Sequence, residues 1–151
     1  MIGGRGGWVI GHSLILGGGG YGMVTEVDAP STVMPQEGPL DIRFETFGFE
    51  MEYVFDPMSL THMSFYTLIG GGAVHYFKDV GSFSSSNQQI GETGFMFLVE
   101  PAINAELNVI EWFRVGAGIS YRFVTGDDHA GLNNDDFKTM SFSVTLKFGA
   151  F

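Results

Sequence analysis

Eight charged residues carry most of the chemistry legible in this chain: Arg5, Arg114, Arg122 and Lys147 against Glu50, Glu52, Glu100 and Glu106. They fall on the less apolar side of stretches in which apolar and other residues alternate, so all eight share one face of an extended structure. Four bases facing four acids is the balance that a confined polar interior requires, because charges taken out of water are tolerated only when paired and hydrogen-bonded. His62, Ser64, Tyr66, Asn104 and Ser120 lie on the same face and can complete such a network. On this reading Arg122 and Glu100 are ion-pair partners and not catalytic groups.

Other motifs point less far. Gly17 to Gly22 contains a Gly-x-Gly-x-x-Gly match, but the pyrophosphate-binding form of that motif opens a helix, and no helical pattern follows here. Glycines in a curved strand, or where side chains across a narrow interior need space, explain it better. His12 and Ser13 are a base and a nucleophile by type. Adjacent positions in a tight turn do not readily form that hydrogen bond, and no third orienting group is evident. His62 and His75 have no partner at metal-ligand spacing, and Asp127-Asp128-His129 is a weak surface metal motif. The chain has no Cys, which excludes disulfides and thiolate metal sites. No catalytic, cofactor-binding or metal-binding residue is assigned, and no cofactor is expected.

The elements that must position the eight charges are strands. Period-2 alternation predicts seven, over residues 2–11, 14–27, 40–55, 60–77, 93–107, 112–125 and 138–149. In the sixth, Phe113, Val115, Ala117, Ile119, Tyr121 and Phe123 share one face, and Arg114, Gly116, Gly118, Ser120 and Arg122 the other. The seventh sets Phe142, Val144, Leu146 and Phe148 against Ser141, Ser143, Thr145 and Lys147. In the fifth, Pro101 costs one ladder hydrogen bond unless a bulge accommodates it.

Composition agrees with strands. The 151 residues include 23 Gly and 15% aromatics beside only 16% charged residues, a mixture unlike helical proteins, whose interiors Gly destabilises. Such a length suits a single domain over 1–151. No apolar run approaches the roughly 20 residues of a membrane-spanning helix, so any membrane span is made of strands. The beginning, Met1 to Arg5, lacks the apolar segment and cleavage site of a secretory signal.

Connections alternate in length. Short turns are expected at residues 12–13, 56–59 and 108–111, and long polar loops over 28–39, 78–92 and 126–137. Short turns at one end and long loops at the other describe an up-and-down antiparallel meander, the pattern of outer-membrane barrels, whose long loops face outward. Seven strands leave the first and last running the same way, whereas single-chain bacterial barrels normally close on an even number. An eighth strand is therefore expected upstream, or from a strand-completing partner or oligomer, since an open edge is an aggregation liability.

Three features favour apolar-out, charged-in sidedness. The strands exceed the typical length of about 5 to 6 residues. Aromatics cluster near strand ends, with Trp8, Tyr53, Phe55, Trp112 and Phe113 toward the short turns and Tyr76, Phe77, Phe123, Phe137 and Phe142 toward the long loops, as membrane interfaces favour. Few bases remain outside the inferred interior. Setting aside the eight interior charges leaves Arg43, Lys78 and Lys138 against thirteen acids, which is the whole net charge of −10. That acidity falls on loops and strand ends, including Glu26, Asp28, Glu37, Asp79, Glu92, Asp127, Asp128, Asp135 and Asp136. Such a surface repels nucleic acid.

The run Gly3 to Ile10 followed by Gly17 to Gly22, and Glu100-Pro101, Glu106 to Val109 and Trp112-Phe113-Arg114, resemble a family of small uncharacterised outer-membrane barrels. More broadly the chain is similar to eight-stranded outer-membrane proteins of the attachment or structural type. Barrels of that kind end in an aromatic used for assembly; Phe151 fits by type but is out of phase with Phe142 to Phe148. The resemblance implies bacterial outer-membrane localisation, contact with membrane lipid and the barrel-assembly machinery, and no particular activity.

The fold expected is thus an all-β, up-and-down antiparallel transmembrane β-barrel, with seven strands in this chain and eight in the complete barrel. The expected function is a non-enzymatic barrel with a side-chain-filled polar lumen and acidic external loops, in a structural or surface-interaction role. An eight-stranded interior is only wide enough for side chains, so porin-like diffusion is not expected. The alternatives are a soluble barrel binding an apolar ligand in an aromatic cavity and a membrane lipid-modifying hydrolase using His12 and Ser13.

Overall fold

The computed structural model describes residues 1–23, 27–28, 40–78, 88–89, 94–126 and 139–151. Nine strands occur among them: β1 (Ile2–Ile10), β2 (Leu14–Gly22), β3 (Val27–Asp28), β4 (Leu40–Phe55), β5 (Thr61–Lys78), β6 (Gln88–Gln89), β7 (Gly94–Ile110), β8 (Phe113–Gly126) and β9 (Thr139–Phe148). Seven form one antiparallel sheet in the order β1-β2-β4-β5-β7-β8-β9, with β3 on β4 and β6 on β5. Every long strand therefore pairs with its predecessor, and the chain is an up-and-down meander curled into a half-barrel.

Turn chemistry fixes the short-turn end. Gly11 and His12 both have positive φ, 60° and 61°, and Ser13 donates its N–H to the Ile10 carbonyl at 3.4 Å. Two left-handed residues between paired strands make the hairpin turn whose twist matches that of the strands it joins. His12 and Ser13 are thus used by the turn. Asp56, at φ 50°, opens the second turn: its carbonyl accepts the Ser59 N–H at 3.0 Å and its carboxylate accepts the Ser59 hydroxyl.

Several strand limits move from their expected places. The predicted strand over 14–27 is divided: β2 ends on the pair Gly22 and Glu45, and β3 resumes on Val27 and Ile42 in a shifted register. The predicted strand over 93–107 continues to Ile110 through a register shift between Asn108 and Ile110, an irregularity that terminates pairing at a sheet's end. Gln88–Gln89 pairs with Phe77 and Lys78 inside an expected loop. Two residues are too few to show alternation, and their pairing uses backbone groups common to every sequence. Pro101 needs no bulge. It pairs with Thr67 of β5, while toward β8 the ladder lapses after Val99 and resumes at Ala102 in the same register.

Curvature comes from close backbone approach. Gly48 and Gly70 are cross-strand partners. A Cβ on Gly70 would lie 2.0 Å from the Phe47 carbonyl oxygen, and one on Gly48 would lie 2.4 Å from that of Ile69, so only glycine lets β4 and β5 bend there. The curl brings sheet-distant strands face to face: Lys147 of β9 reaches Glu52 of β4 at 2.6 Å, and the Arg5 guanidinium of β1 lies over the Tyr66 ring of β5 at 4.7 Å. Among the described residues the two ends of the sheet do not pair. Among those residues β1 has only β2 as a strand neighbour, and β9 only β8.

Candidate functional site

Strand parity sorts the side chains into two sets. Phe47, Phe49, Met51 and Tyr53 of β4 point outward and are exposed, whereas Phe44, Thr46, Glu50 and Glu52 between and beside them are buried inside the curl. The same division holds in β7, where Phe95, Phe97 and Ile103 are exposed and Leu98, Asn104 and Glu106 buried.

The half of the interior nearer the short turns is a charged network. Lys147 Nζ donates to Glu52 Oε1 at 2.6 Å and to Glu106 Oε1. Ser64 Oγ lies 2.5 Å from Glu52 Oε1 and 2.8 Å from Glu106 Oε1, and with one hydroxyl hydrogen it serves one carboxylate at a time. Asn104 Nδ2 donates to Ser64 Oγ at 3.2 Å. His62 joins through Nε2 to Glu106 Oε2 at 3.3 Å and through Nδ1 to the Ser59 carbonyl at 3.3 Å. Arg5 contacts Glu52 Oε2 at 3.4 Å and Glu50 Oε2 at 4.0 Å. Tyr21 donates to Glu50 Oε1 at 2.7 Å.

Glycines make this reach feasible. Arg5 faces Gly19 across the β1–β2 pair, and Gly19 contributes no side chain to separate Arg5 from β4. A Cβ there would lie 2.1 Å from Glu50 Oε1 and 3.0 Å from the Arg5 Cβ. The Gly17 to Gly22 motif therefore lies in the strand β2, where it clears a path for an ion pair and opens no helix.

Nearer the long loops the interior changes character. Phe44, Tyr66, Leu68, Val74, Leu98, Ala102 and Val124 form a buried apolar cluster, with Tyr21, Met23 and Met96 packed against it. Leu98 has no solvent exposure at all. The expectation of a polar lumen throughout is corrected here: Leu98 lies two residues from Glu100 on the same face, and Val124 two from Arg122. One charged unit sits beside this cluster, where Glu100 receives Arg122 Nε at 2.7 Å and Ser120 Oγ at 2.7 Å. It bridges β7 and β8 where Pro101 interrupts their ladder, and the Arg122 guanidinium also lies 5.2 Å from the Phe44 ring centroid.

Arg114 is placed differently from the other bases. It is buried on the inward face, but its close contacts are the Phe151 ring, 4.2 Å from its guanidinium carbon, and the Pro57 carbonyl at 3.4 Å. Phe151 is thereby turned under the interior, a placement consistent with its being out of phase with β9. Thr46 Oγ1 is buried with no hydrogen-bond partner among the described residues.

Several outward aromatics lie toward the strand ends, while Phe47 and Phe49 lie at the middle of β4. At the short-turn end Trp8 and Trp112 are exposed, Phe113 is half-buried, and Phe148 stacks on both Trp112 and Phe113, with the Phe113 and Phe148 centroids 4.9 Å apart. Tyr53 packs edge-on to Phe55 at 4.9 Å. Toward the long loops Tyr121 packs edge-on to Phe123 at 4.8 Å, and Phe142 is 82% exposed. The side chains of Tyr76 and Phe77, together with Phe137, Lys138, the Asp127-Asp128-His129 motif and the loop acids, lie outside the described residues.

Compared with known proteins, the chain matches no family model, no curated protein and no solved structure. Fold and geometry stand alone: an all-strand antiparallel half-barrel of seven long strands, compatible with a small β-barrel.

Chemically, the arrangement is suited to holding a shape. Arg5, Arg122 and Lys147 are bound to Glu50, Glu52, Glu100 and Glu106, Arg114 rests on Phe151 and the Pro57 carbonyl, and among the described residues no group of three or more His, Asp or Glu is placed to hold a metal ion. Sequence parity placed the eight charges on one face, and seven of them meet in ion pairs while Arg114 meets Phe151 and Pro57. It missed the apolar half, because Phe44, Leu68, Val74, Leu98 and Val124 sit in segments whose outward residues are apolar too, and alternation is lost there.

Proposed function

We propose that this chain is a small membrane β-barrel of the bacterial outer-membrane type, non-enzymatic, with an interior filled by side chains and a structural or surface-interaction role for its acidic loops. The observation that carries this reading is the inversion of the usual soluble pattern. Glu50, Glu52, Glu106, Arg114, Arg122 and Lys147 are buried, while a continuous outward face exposes Phe47, Phe49, Phe65, Phe97, Ile103, Ile119, Val144 and Leu146. Each such side chain left in water forgoes about 1.5–3 kcal/mol, and soluble monomers rarely expose so large an apolar patch. Lipid supplies the missing burial, and the aromatic clusters at both ends suit its interfaces.

Membrane lipid and the barrel-assembly machinery are the partners this reading implies. A soluble barrel holding an apolar ligand would gather its aromatics around a cavity, whereas here most of them face outward. The packed cluster around Leu98 supports a plugged barrel over an open channel.

Spin labels at Phe49, Phe97 and Ile119 are expected to be reached by lipid-soluble quenchers, and labels at Ser64 and Asn104 to be protected. Protection of the first set and exposure of the second would overturn the reading. Ile119→Lys is expected to destabilise the lipid-embedded protein by about 2–4 kcal/mol, the range for a cation on a lipid-facing position at mid-membrane. On the wall of a soluble barrel the change would stay within about 0.5 kcal/mol.

A further inference from the structure

The sheet is open along one line, and that line has a definite shape. Between Arg5 to Val9 of β1 and Leu146 to Phe151 at the end of β9 lies a cavity of about 500 Å³ that reaches inward to Glu50, Glu52 and Tyr66. It lies along part of the two strand edges that have no neighbour among the described residues, those of β1 and β9, with Ile15 and Gly17 of β2 also in its lining. Unpaired backbone N–H and C=O groups along both edges are costly to leave in a membrane, where no water can satisfy them.

We propose that this slot is the seat of one further β-strand, lying N-terminal to β1 in the same polypeptide and antiparallel to both β1 and β9. The inference rests on the membrane reading for its driving force but on the sheet geometry for its form. Three observations specify the occupant. β1 and β9 both run from the long-loop end to the short-turn end, so only a strand running the opposite way pairs antiparallel with both. A second copy inserted in the same sense would bring its β9 parallel to this β1, unlike every other junction in the sheet.

The short-turn end of the slot is already taken. Gly149 donates its N–H to the Trp112 carbonyl at 3.1 Å, Phe151 lies against the Arg114 guanidinium, and Ala150 and Phe151 line the cavity. A strand following β9 would have to displace them to make its turn. A strand preceding β1 hands over at the opposite, long-loop end and continues the alternation of short and long connections.

The walls also set the composition. The lining holds two cations, Arg5 and Lys147, against two carboxylates, Glu50 and Glu52, so inward positions of the added strand are small and uncharged. Its outward positions, between Trp8 and the pair Leu146 and Phe148, are apolar.

The test uses the chain of 1–151 in three forms: alone, with a ten-residue strand of alternating Val and Ser joined by a flexible loop before Met1, and with the same strand joined after Phe151. Gly6→Cys and Leu146→Cys, both on the slot, are introduced singly with a cysteine on the added strand, and together in the chain alone. The expected result is a heat-modifiable monomer in detergent whose strand cross-links to both positions, at least ten-fold more abundant for the N-terminal fusion than for the C-terminal one. Equal closure by the C-terminal fusion, a Gly6→Cys to Leu146→Cys disulfide within the chain alone or between two copies, or no closure by the N-terminal fusion would each overturn the proposal. Cross-linking reports strand pairing whether the outer face meets lipid or water, so it fails separately from the spin-label test above.

Discussion

The two halves of the interior are built from opposite materials and hold together for different reasons. Near the short turns, Lys147, Glu52, Glu106, Ser64, His62 and Asn104 are joined by directional bonds, each of which has a named partner. Near the long loops, Leu98, Leu68, Val74 and Val124 are joined by packing contact. The charged half gives specificity at a cost in desolvation and is intolerant of losing one member. The apolar half gives stability in proportion to how well its volume is filled. A polar half held by directional bonds and an apolar half held by packing are expected to fail differently when altered.

The largest effect is expected from Glu106→Leu, which strips Lys147 of one carboxylate and leaves His62 facing a hydrocarbon. Removing one partner of a buried pair costs about 3–5 kcal/mol, measurable by denaturant unfolding of the folded protein in detergent. The double change Glu106→Leu with Lys147→Met should recover most of that loss. If the single and double variants are equally unstable, the ion pair is not what holds this half.

Leu98→Ala is expected to cost about 2–5 kcal/mol in the same assay, because a fully buried side chain leaves a cavity that its neighbours fill only in part. No second substitution among the charges should rescue it. Gly70→Ala, where a Cβ would meet the Phe47 carbonyl oxygen at 2.0 Å, is expected to cost roughly 1–3 kcal/mol through backbone displacement. Ser64→Ala is the smallest, about 1 kcal/mol for a hydroxyl that serves one carboxylate at a time, and a loss well above 3 kcal/mol would mean that Ser64 organises the network.

The same contrast explains what could be read from the chain before its fold. The strands were legible because alternation survives wherever one face is polar: the predicted limits 40–55 coincide with β4, and those of the sixth and seventh strands shift by one residue. The eight charges were legible as one face for the same reason. Their pairing was not, since Lys147 finds Glu52 and Glu106 only through the curl of the sheet, and Arg114 rests on Phe151 through a bend after β9. The apolar half was illegible for a simpler reason: a strand apolar on both faces shows no period, and sidedness there follows only from register with neighbours that alternate.

The Lys147–Glu52 bridge ties positions 95 apart in the chain, while each long strand pairs with the one before it. Neighbouring hairpins can form early from local contacts, but this bridge waits until most of the meander is in place, because distant loop closure is slow. Bonds absent from a folding transition state act mainly on the rate of unfolding. The buried lysine is therefore a late latch, which lengthens the lifetime of the finished sheet without hastening its formation.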